Sequence, residues 1–355
     1  MNDLANILKY SPFEFNKKKK QKIFQNLQKK LTNYHFSKCN DYFKILKLLK
    51  YNKNKNYKIL ELPFLPVRIF KKYNLITSEK KNIVRTIASS GTSSSQKSRI
   101  FLDKENSNMQ IKVLTKIISN YVGGKRLPLL IIDSNSTAKN NKISSARSVA
   151  IQGFSIFGYD VTFALNDDLS LNLAAIDKFY SKYKNKDCLV FGFTFLVWEN
   201  FYKNLLKVNK KYYFKNAIIL HGGGWKKLDA HQVSNEEFKK TIKKNLGVKN
   251  IFNYYGMVEQ TGSIFVECEK GFLHCSIFSD IIIRDKNFNN LGFNKYGLIQ
   301  LLSLLPTSYP GHNILSEDVG KIVGEDSCKC GRLGKYFIVK GRVENAEIRG
   351  CSDVW

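Results

Sequence analysis

The chain has 355 residues, 43% of them hydrophobic, and a net charge of +29; that apolar share excludes disorder, and a mean hydropathy of −0.30 excludes a membrane-embedded protein. No run reaches the ~18 apolar residues of a transmembrane helix, and the longest, such as Leu127 to Ile132, read as buried strands. The charge would ordinarily suggest nucleic acid, but it is almost all lysine, with nine scattered arginines, whereas phosphates and bases are read by arginine's bidentate fork. No nucleic-acid partner is therefore expected, and a basic nucleic-acid binder is kept as the non-enzyme alternative. The dense run Lys17 to Lys20 reads as a solvated helix face. The N-terminus carries Asp3 and lacks an apolar core followed by small residues, so no signal peptide is expected and the cytoplasm is the expected compartment.

Residues 1–75 read as a helical N-terminal region, with apolar positions at helical spacing at Ile23, Phe24, Leu27 and Leu31, then Phe43, Leu46 and Leu49, punctuated by Pro63 and Pro66. Residues 76–320 alternate short β-rich runs with longer amphipathic stretches, among them Leu129 to Ile132, Cys188 to Phe193 and Ala217 to Leu220. That alternation predicts an α/β domain with mostly parallel sheets, whose ligands sit beyond the carboxyl ends of the strands. Residues 321–355 form a last segment that ends in a reactive tail.

Three turns carry nucleotide-like chemistry. In Ser89-Ser90-Gly91-Thr92-Ser93-Ser94-Ser95-Gln96-Lys97, glycine lets backbone N–H groups turn inward, hydroxyls add rotatable donors, and lysine adds a positive charge. Composition alone favours a flexible linker. The flanks, Ile83-Val84 and Ile87 before it and Ile100-Phe101-Leu102 after, instead place the run as a loop between two strands, and its spacing does not match the Walker pattern. His221-Gly222-Gly223-Gly224-Trp225 leaves a strand into bare backbone on which a flat ring can lie. Tyr255-Gly256-Met257-Val258-Glu259 ends an aromatic strand in a carboxylate suited to Mg²⁺, or else to a helix start.

Taken in order, these segments resemble the adenylate-forming (ANL-type) superfamily, which joins a carboxylic acid to ATP as an acyl-adenylate and passes the acyl group to a thiol. The resemblance makes Ser89 to Lys97 the phosphate loop, His221 to Trp225 the adenine-side turn, and Tyr255 to Glu259 the Tyr-Gly-x-Thr-Glu motif, with Val258 in place of threonine. It makes Asp318, in Ser316-Glu317-Asp318, the ribose ligand with Arg342, and Gly341-Arg342 followed by Ile348-Arg349-Gly350 the hinge. Within the superfamily the chain is most similar to the acyl-protein synthetase family of the bacterial luminescence fatty-acid reductase complex, near the phenylacetate–CoA ligases. Only Cys351-Ser352-Asp353-Val354-Trp355 follows Arg349-Gly350, so the C-terminal small domain is expected to be absent.

In the family resembled, the acyl group rides as a thioester on a cysteine near the C-terminus, which makes Cys351 the expected nucleophile; a thiolate attacks mixed anhydrides well, and Arg349 would favour it. The expected reaction is an acid–thiol ligation, ATP to AMP and pyrophosphate, with a long-chain fatty acid as substrate and an acyl reductase as acceptor. A CoA-dependent acyl or aryl ligase is the alternative. The aromatic runs Phe154 to Tyr159 and Phe191 to Phe201 are either an acyl slot or plain core.

The cysteines carry a second signal. Cys268, His274 and Cys275, with Cys328 and Cys330, bracket a segment that zinc could close, or they are reduced cysteines without metal. Resemblance to phenylacetate–CoA ligase relatives with Glu-Cys…Gly-x-His and Cys-x-Cys-Gly-Arg segments favours Cys268, His274, Cys328 and Cys330 as ligands of a structural Zn²⁺, leaving Cys275 spare.

Overall fold

The computed structural model describes residues 2–89, 97–138, 143–225 and 233–343. The principal strands, in chain order, are β1 (Ile83–Ala88), β2 (Arg99–Asp103), β3 (Leu127–Ser134), β4 (Gly158–Leu165), β5 (Cys188–Phe193), β6 (Ala217–Gly222), β7 (Asn250–Tyr255), β8 (Phe265–Glu267), β9 (Leu273–His274), β10 (Ser279–Arg284), β11 (Gly297–Ser303), β12 (Asn313–Glu325) and β13 (Lys335–Arg342). The described residues divide into two compact units, one of residues 2–89, 97–117 and 256–343, the other of residues 118–138, 143–225 and 233–255.

The second unit holds the expected parallel sheet, in the order β4-β3-β5-β6-β7. Strand β5 is buried at every residue, which is why it reads as the continuous apolar run Cys188-Leu189-Val190-Phe191-Gly192-Phe193, since a parallel strand covered on both faces has no solvent side to pattern. Helices Ala146–Ser155, Leu173–Tyr183 and Asn235–Leu246 begin on the side-chain caps Ser145, Asn172 and Ser234, and the last stops at Gly247 in the left-handed region, φ +62°. The aromatic runs contribute to this unit's core: Phe154, Phe157, Phe191, Phe193 and Phe201 are all buried, and the Phe154 and Phe191 rings stack at 4.2 Å.

The first unit differs from a mostly parallel reading of residues 76–320. Its larger sheet runs β10-β11-β12-β13-β9-β8, and its pairings are antiparallel. The connections across residues 268–272, 304–312 and 326–334 are too short for a parallel pair, which needs a crossover of a dozen or more residues.

The N-terminal region is helical as expected, with helices at Asn2–Ile7, Lys17–Lys38 and Asn40–Leu48. The buried face of the long helix is not the apolar one, however. Lys20, Phe24, Gln28, Thr32 and His35 are buried, while Ile23, Leu27 and Leu31 are only half-buried and Phe43 and Leu49 are exposed. Several of these buried polar groups find partners in the segments they face. Gln28 Nε2 donates to the carbonyls of Ser303 at 2.8 Å and His312 at 3.2 Å, and His35 bonds Thr77 Oγ1 at 2.8 Å and the Pro306 carbonyl at 3.1 Å.

Lys20 likewise is not solvated. Its ammonium reaches the Cys275 carbonyl at 3.4 Å and lies 3.7 Å from Asp280, which Lys335 pairs at 3.1 Å on the other oxygen. Burial would raise the Asp280 carboxyl, but Lys20 and Lys335 outweigh it and hold the group below the usual carboxylate range. A lysine run on a helix with no apolar neighbour at position 20 gives no hint that one of its members has a buried carboxylate waiting.

Candidate active site and metal centre

The hydroxyl-rich run begins and ends as the flanking strands require. Strands β1 and β2 pair antiparallel up to Ala88 against Arg99, and beyond them Ser89 N–H donates to the Ser98 carbonyl while Ser98 N–H donates to Ser89 Oγ, both at 3.0 Å. Ser89 is thus one half of a clasp at the loop's base, and Lys97 stands exposed beside it. Ser90, Gly91, Thr92, Ser93, Ser94 and Ser95 lie outside the described residues.

At the tip of β6 the three glycines have three different surroundings. A Cβ on Gly222 would lie 2.5 Å from the Tyr254 ring, Gly223 takes φ +82°, and Gly224 has nothing within 4 Å of where its Cβ would be. The first glycine therefore serves ring packing, the second backbone direction, and the third leaves the bare surface the sequence suggests. Because Tyr254 is itself packed against Phe154 at 5.1 Å, Gly222→Ala is expected to lower the unit's unfolding free energy by roughly 1–3 kcal/mol. Urea unfolding followed by tryptophan fluorescence checks this, and an unchanged midpoint would contradict the packing role.

His221, buried beside that turn, bonds Thr194 Oγ1 through Nδ1 at 2.9 Å and lies 4.4 Å from the Phe238 ring. Burial pushes its pKa down to about 3, so the ring is neutral. Thr194 was not singled out from the sequence; its position just past the buried run of β5 is the signal that would have found it.

In the first unit, Glu259 is the middle residue of a single 3₁₀ turn, Val258–Gln260, which fits its reading as a helix-start residue as well as a metal carboxylate. It is buried, and its carbonyl accepts the Tyr309 hydroxyl at 3.0 Å. Gln260 Nε2 donates to the carbonyls of Leu301 at 3.1 Å and Gly311 at 2.8 Å. Gly311 sits against the same turn, where a Cβ would come 2.7 Å from the Glu259 carbonyl. Tyr309 and Gly311 are positioning residues that sequence reading missed, because nothing in Tyr309-Pro310-Gly311 distinguishes it from an ordinary turn. Tyr255 is the last residue of β7 and Gly256 follows it in the chain toward this segment.

Asp318 and Arg342 are brought together. They are register partners across β12 and β13, and Arg342 Nε lies 3.3 Å from Asp318 Oδ1. The next-door Glu317 pairs with Arg68. A carboxylate and a guanidinium on adjacent strands offer an acceptor and a donor for a diol.

The Cys/His segments converge. The ligand atoms of Cys268, His274, Cys328 and Cys330 all lie within 4.8 Å of one another. Cys268 Sγ is 3.9 Å from Cys328 Sγ, and Cys330 Sγ is 3.3 Å from His274 Nε2. A tetrahedral zinc with bonds of 2.0–2.3 Å puts sulfurs about 3.8 Å apart and sulfur and nitrogen about 3.5 Å apart, so the donor set fits that ion.

Two turns of one design build it. Gly271 N–H donates to the Cys268 carbonyl at 2.9 Å and Gly331 N–H to the Cys328 carbonyl at 3.0 Å, each glycine at φ +82°. Lys270 N–H donates to Cys268 Sγ at 3.4 Å. Burial pushes the Cys328 thiol up to about 12 and lowers His274 to about 4. Burial would raise Cys330 as well, but the Arg332 N–H and the neighbouring thiols outweigh it and hold Cys330 below the usual thiol range. Cys275, the spare cysteine of the sequence reading, is buried and is not among the converging groups; in an extended strand it points to the face opposite His274.

Cys351 lies outside the described residues, so its place relative to either unit is not on view. No helix of the described residues is long and apolar enough to cross a membrane.

The fold is shared with adenylate-forming ligases. An open conformation of 2-hydroxyisobutyryl-CoA ligase in complex with 2-HIB-AMP and CoA superposes with a TM-score of 0.75 at 12% identity, over 93% of this chain and 76% of that one. The same ligase in its thioesterification state gives 0.72 at 12% identity, over 92% and 68%, and the amide bond synthetase McbA from Marinactinospora thermotolerans gives 0.50 at 12%, over 75% and 50%. At 12% identity these likenesses show the fold alone; together with the family profile the class is that of ligases. The chain belongs to the LuxE acyl-protein synthetase family, whose profile matches residues 1–355. No curated protein sequence matches it.

Proposed function

We propose that this ligase activates a long-chain fatty acid with Mg-ATP and carries the acyl group as a thioester on Cys351 for hand-over to an acyl reductase in the cytoplasm. The observation that carries the reading is the family match along all 355 residues. In the first step a carboxylate oxygen of the acid attacks the α-phosphorus, the bond to the bridging oxygen breaks, and pyrophosphate leaves. Ser89, the loop Ser90 to Ser95 and Lys97 restrain the phosphates, Gly222 to Gly224 and Tyr255-Gly256 receive the base, Asp318 and Arg342 take the ribose, and Glu259 holds Mg²⁺. Such displacements are accelerated mostly by positioning and charge neutralisation. In the second step the Cys351 thiolate attacks the acyl carbon, a C–S bond forms, and AMP leaves.

Cys268, His274, Cys328 and Cys330 hold a structural Zn²⁺ in this reading. The chemistry such an ion supplies is cross-linking: a closed set of four protein donors leaves no open position for a substrate.

Incubation of the protein with ATP and a panel of fatty acids, followed by weighing the intact chain, tests the acyl-protein step. The wild type is expected to gain one acyl mass, and Cys351→Ser is expected to lose that gain completely while keeping acid-dependent ATP–pyrophosphate exchange within about twofold. Mass gain that persists in Cys351→Ser would transfer the role to another cysteine. Acyl-CoA released into solution with no mass gain would favour the CoA-ligase alternative.

A further inference from the structure

The helix Asn40–Leu48 ends on two leucines that its own fold leaves in water. Leu48 is 84% exposed, the most of any large hydrophobic residue described, and its neighbour Leu49 is 57% exposed. Single exposed leucines are ordinary, but these two are adjacent and held outward by a closed helix end. Tyr51 N–H donates to the Leu46 carbonyl at 2.9 Å and Lys50 N–H to the Lys47 carbonyl at 3.0 Å, the paired bonds of a Schellman cap. The cap puts Lys50 at φ +55°, a left-handed conformation in which glycine is usual. It turns Leu46 and Tyr51 into the core and presents Leu48 and Leu49 to solvent.

A row of rings runs from this helix into the loop that follows. Phe36 lies 4.9 Å from the exposed Phe43 and 5.5 Å from Tyr51, which stacks on Tyr57 at 5.0 Å. The loop is tied down by Gln25 Nε2, which donates to the Tyr57 carbonyl at 2.7 Å. Lysines interleave with the row: the Lys47 ammonium is 5.5 Å from the Phe43 ring and the Lys55 ammonium 5.1 Å from the Tyr57 ring.

Between residues 38 and 61 seven lysines stand exposed, and Lys29 reaches Asn56 Oδ1 from the long helix at 3.2 Å. The segment's carboxylates are Asp41, 3.9 Å from Lys44, and Glu61, which accepts the Lys58 N–H at 2.9 Å. Eight lysines against two carboxylates leave a formal excess of six positive charges, on a chain that carries +29 as a whole. Nucleic acid has no use for projecting leucines, and the segment contains no arginine to read phosphates bidentately. Protein interfaces are depleted in lysine. An anionic bilayer takes both features: the leucines enter the acyl boundary, and the lysines lay their stems along it with ammonium groups at the phosphates.

We propose that the end of the helix Asn40–Leu48 and the loop after it form a docking surface for an anionic membrane, with Leu48 and Leu49 inserted and the surrounding lysines on lipid phosphates. The surface is argued without the ligase reading; its use rests on that reading, since a long-chain acid concentrates in bilayers and a docked ligase meets it there.

Co-flotation of the full chain with vesicles tests the surface. At moderate salt the protein is expected to bind vesicles of equal parts phosphatidylglycerol and phosphatidylcholine at least about tenfold more tightly than phosphatidylcholine alone. Leu48→Ser with Leu49→Ser is expected to weaken that binding at least about tenfold, with circular dichroism and ATP–pyrophosphate exchange on a short water-soluble acid unchanged. Lys53→Glu with Lys55→Glu, which keeps both leucines, is also expected to weaken it at least about tenfold. Lys178→Glu with Lys240→Glu makes the same charge change in the second unit and is expected to stay within about twofold of the wild type. No binding to the anionic vesicles, undiminished binding by the leucine variant, or an equal loss in the second-unit control overturns the surface. A wild-type dimer in sedimentation that the leucine variant abolishes would give the patch to a second copy, and a duplex-DNA gel shift tighter than vesicle binding and lost in the Lys53 and Lys55 variant would give it to nucleic acid; either overturns the proposal. Absent pyrophosphate exchange in the wild type would instead overturn the ligase reading, with vesicle binding still deciding the surface.

Discussion

Cys328→Ser is expected to drop the bound zinc from one ion per chain to nearly none, and to lower the first unit's unfolding free energy by about 5 kcal/mol. Structural zinc contributes ~10–16 kcal/mol in peptide sites that have no other core; here the sheet β10-β11-β12-β13 supplies a core of its own, so roughly half that effect is expected. The loss is large because the two Cys-x2-Gly turns stand sixty positions apart in sequence and no disulfide is present among the described cysteines. Cys275→Ser is the matched control: equally buried and equally a thiol, it is expected to keep its metal. Elemental analysis of both purified proteins decides the matter, and a metal-free wild type, or zinc retained by Cys328→Ser, would remove the site.

Acidification is expected to unfold the protein at a pH where most carboxylates are still charged. His35, His221 and His312 are fully buried, and burial pushes the first two down to about 3 and the third well below its ordinary value. The sign follows from where protons bind. Above the unfolded pKa of 6.5 both states are neutral and stability is whole; as pH falls through 6.5 the unfolded chain takes up protons that the folded chain refuses, and stability declines until the folded pKa is reached. Each histidine contributes a slope of ~1.4 kcal/mol per pH unit, so the stacked pair His35 and His312, 4.9 Å apart, gives the first unit about 2.8 kcal/mol per unit.

For a stability of about 5–7 kcal/mol, at the lower end of the usual range, the midpoint of acid unfolding should fall between about pH 5 and pH 4. Stability measured by urea titration at stepped pH checks the slope. His312→Gln, which keeps a polar group near Thr32, is expected to reduce the slope by about one histidine's share even though it costs stability at neutral pH. An unchanged slope in that variant would mean that the histidine titrates normally in the folded state. Trp198 and Trp225 lie in the second unit and report on His221 separately.

How much of this was legible in the sequence depended on which physical signal each part carries. The parallel sheet was legible because its strands are buried on both faces and read as unbroken apolar runs, Leu129 to Ile132 and Cys188 to Phe193 among them. The loop between β1 and β2 was legible from its flanks, since apolar runs on both sides of a serine-rich turn leave little else for it to be. The metal-like cluster was legible from spacing together with family likeness, and the structure brings the four chosen side chains together without the fifth.

The helix Lys17–Lys38 was legible as a helix but not as a surface. Period fixes which residues share a row, yet the partner decides which row goes inside, and the carbonyls of Ser303, Pro306 and His312 with the Thr77 hydroxyl accept Gln28 and His35 more readily than leucine. The same holds for Lys20, whose partner Asp280 is far away in sequence. The antiparallel course of β8 to β13 was hidden because a single strand's residue pattern does not record the direction of its neighbour. Tyr309 and Gly311 were hidden because their roles consist of contacts to one backbone carbonyl.

Strand β13 begins just past Cys330 and ends at Arg342, so the converging Cys/His groups and the Asp318–Arg342 pair stand at opposite ends of one strand. A strand fastened at its root transmits small rotations to its tip, and the tip here lies beside Asp318, with Arg342 Nε 3.3 Å from Asp318 Oδ1. On the proposed reading, depleting the ion is expected to weaken nucleotide binding before the domain unravels, so that scarcity of one transition element would act through ATP affinity ahead of any loss of protein.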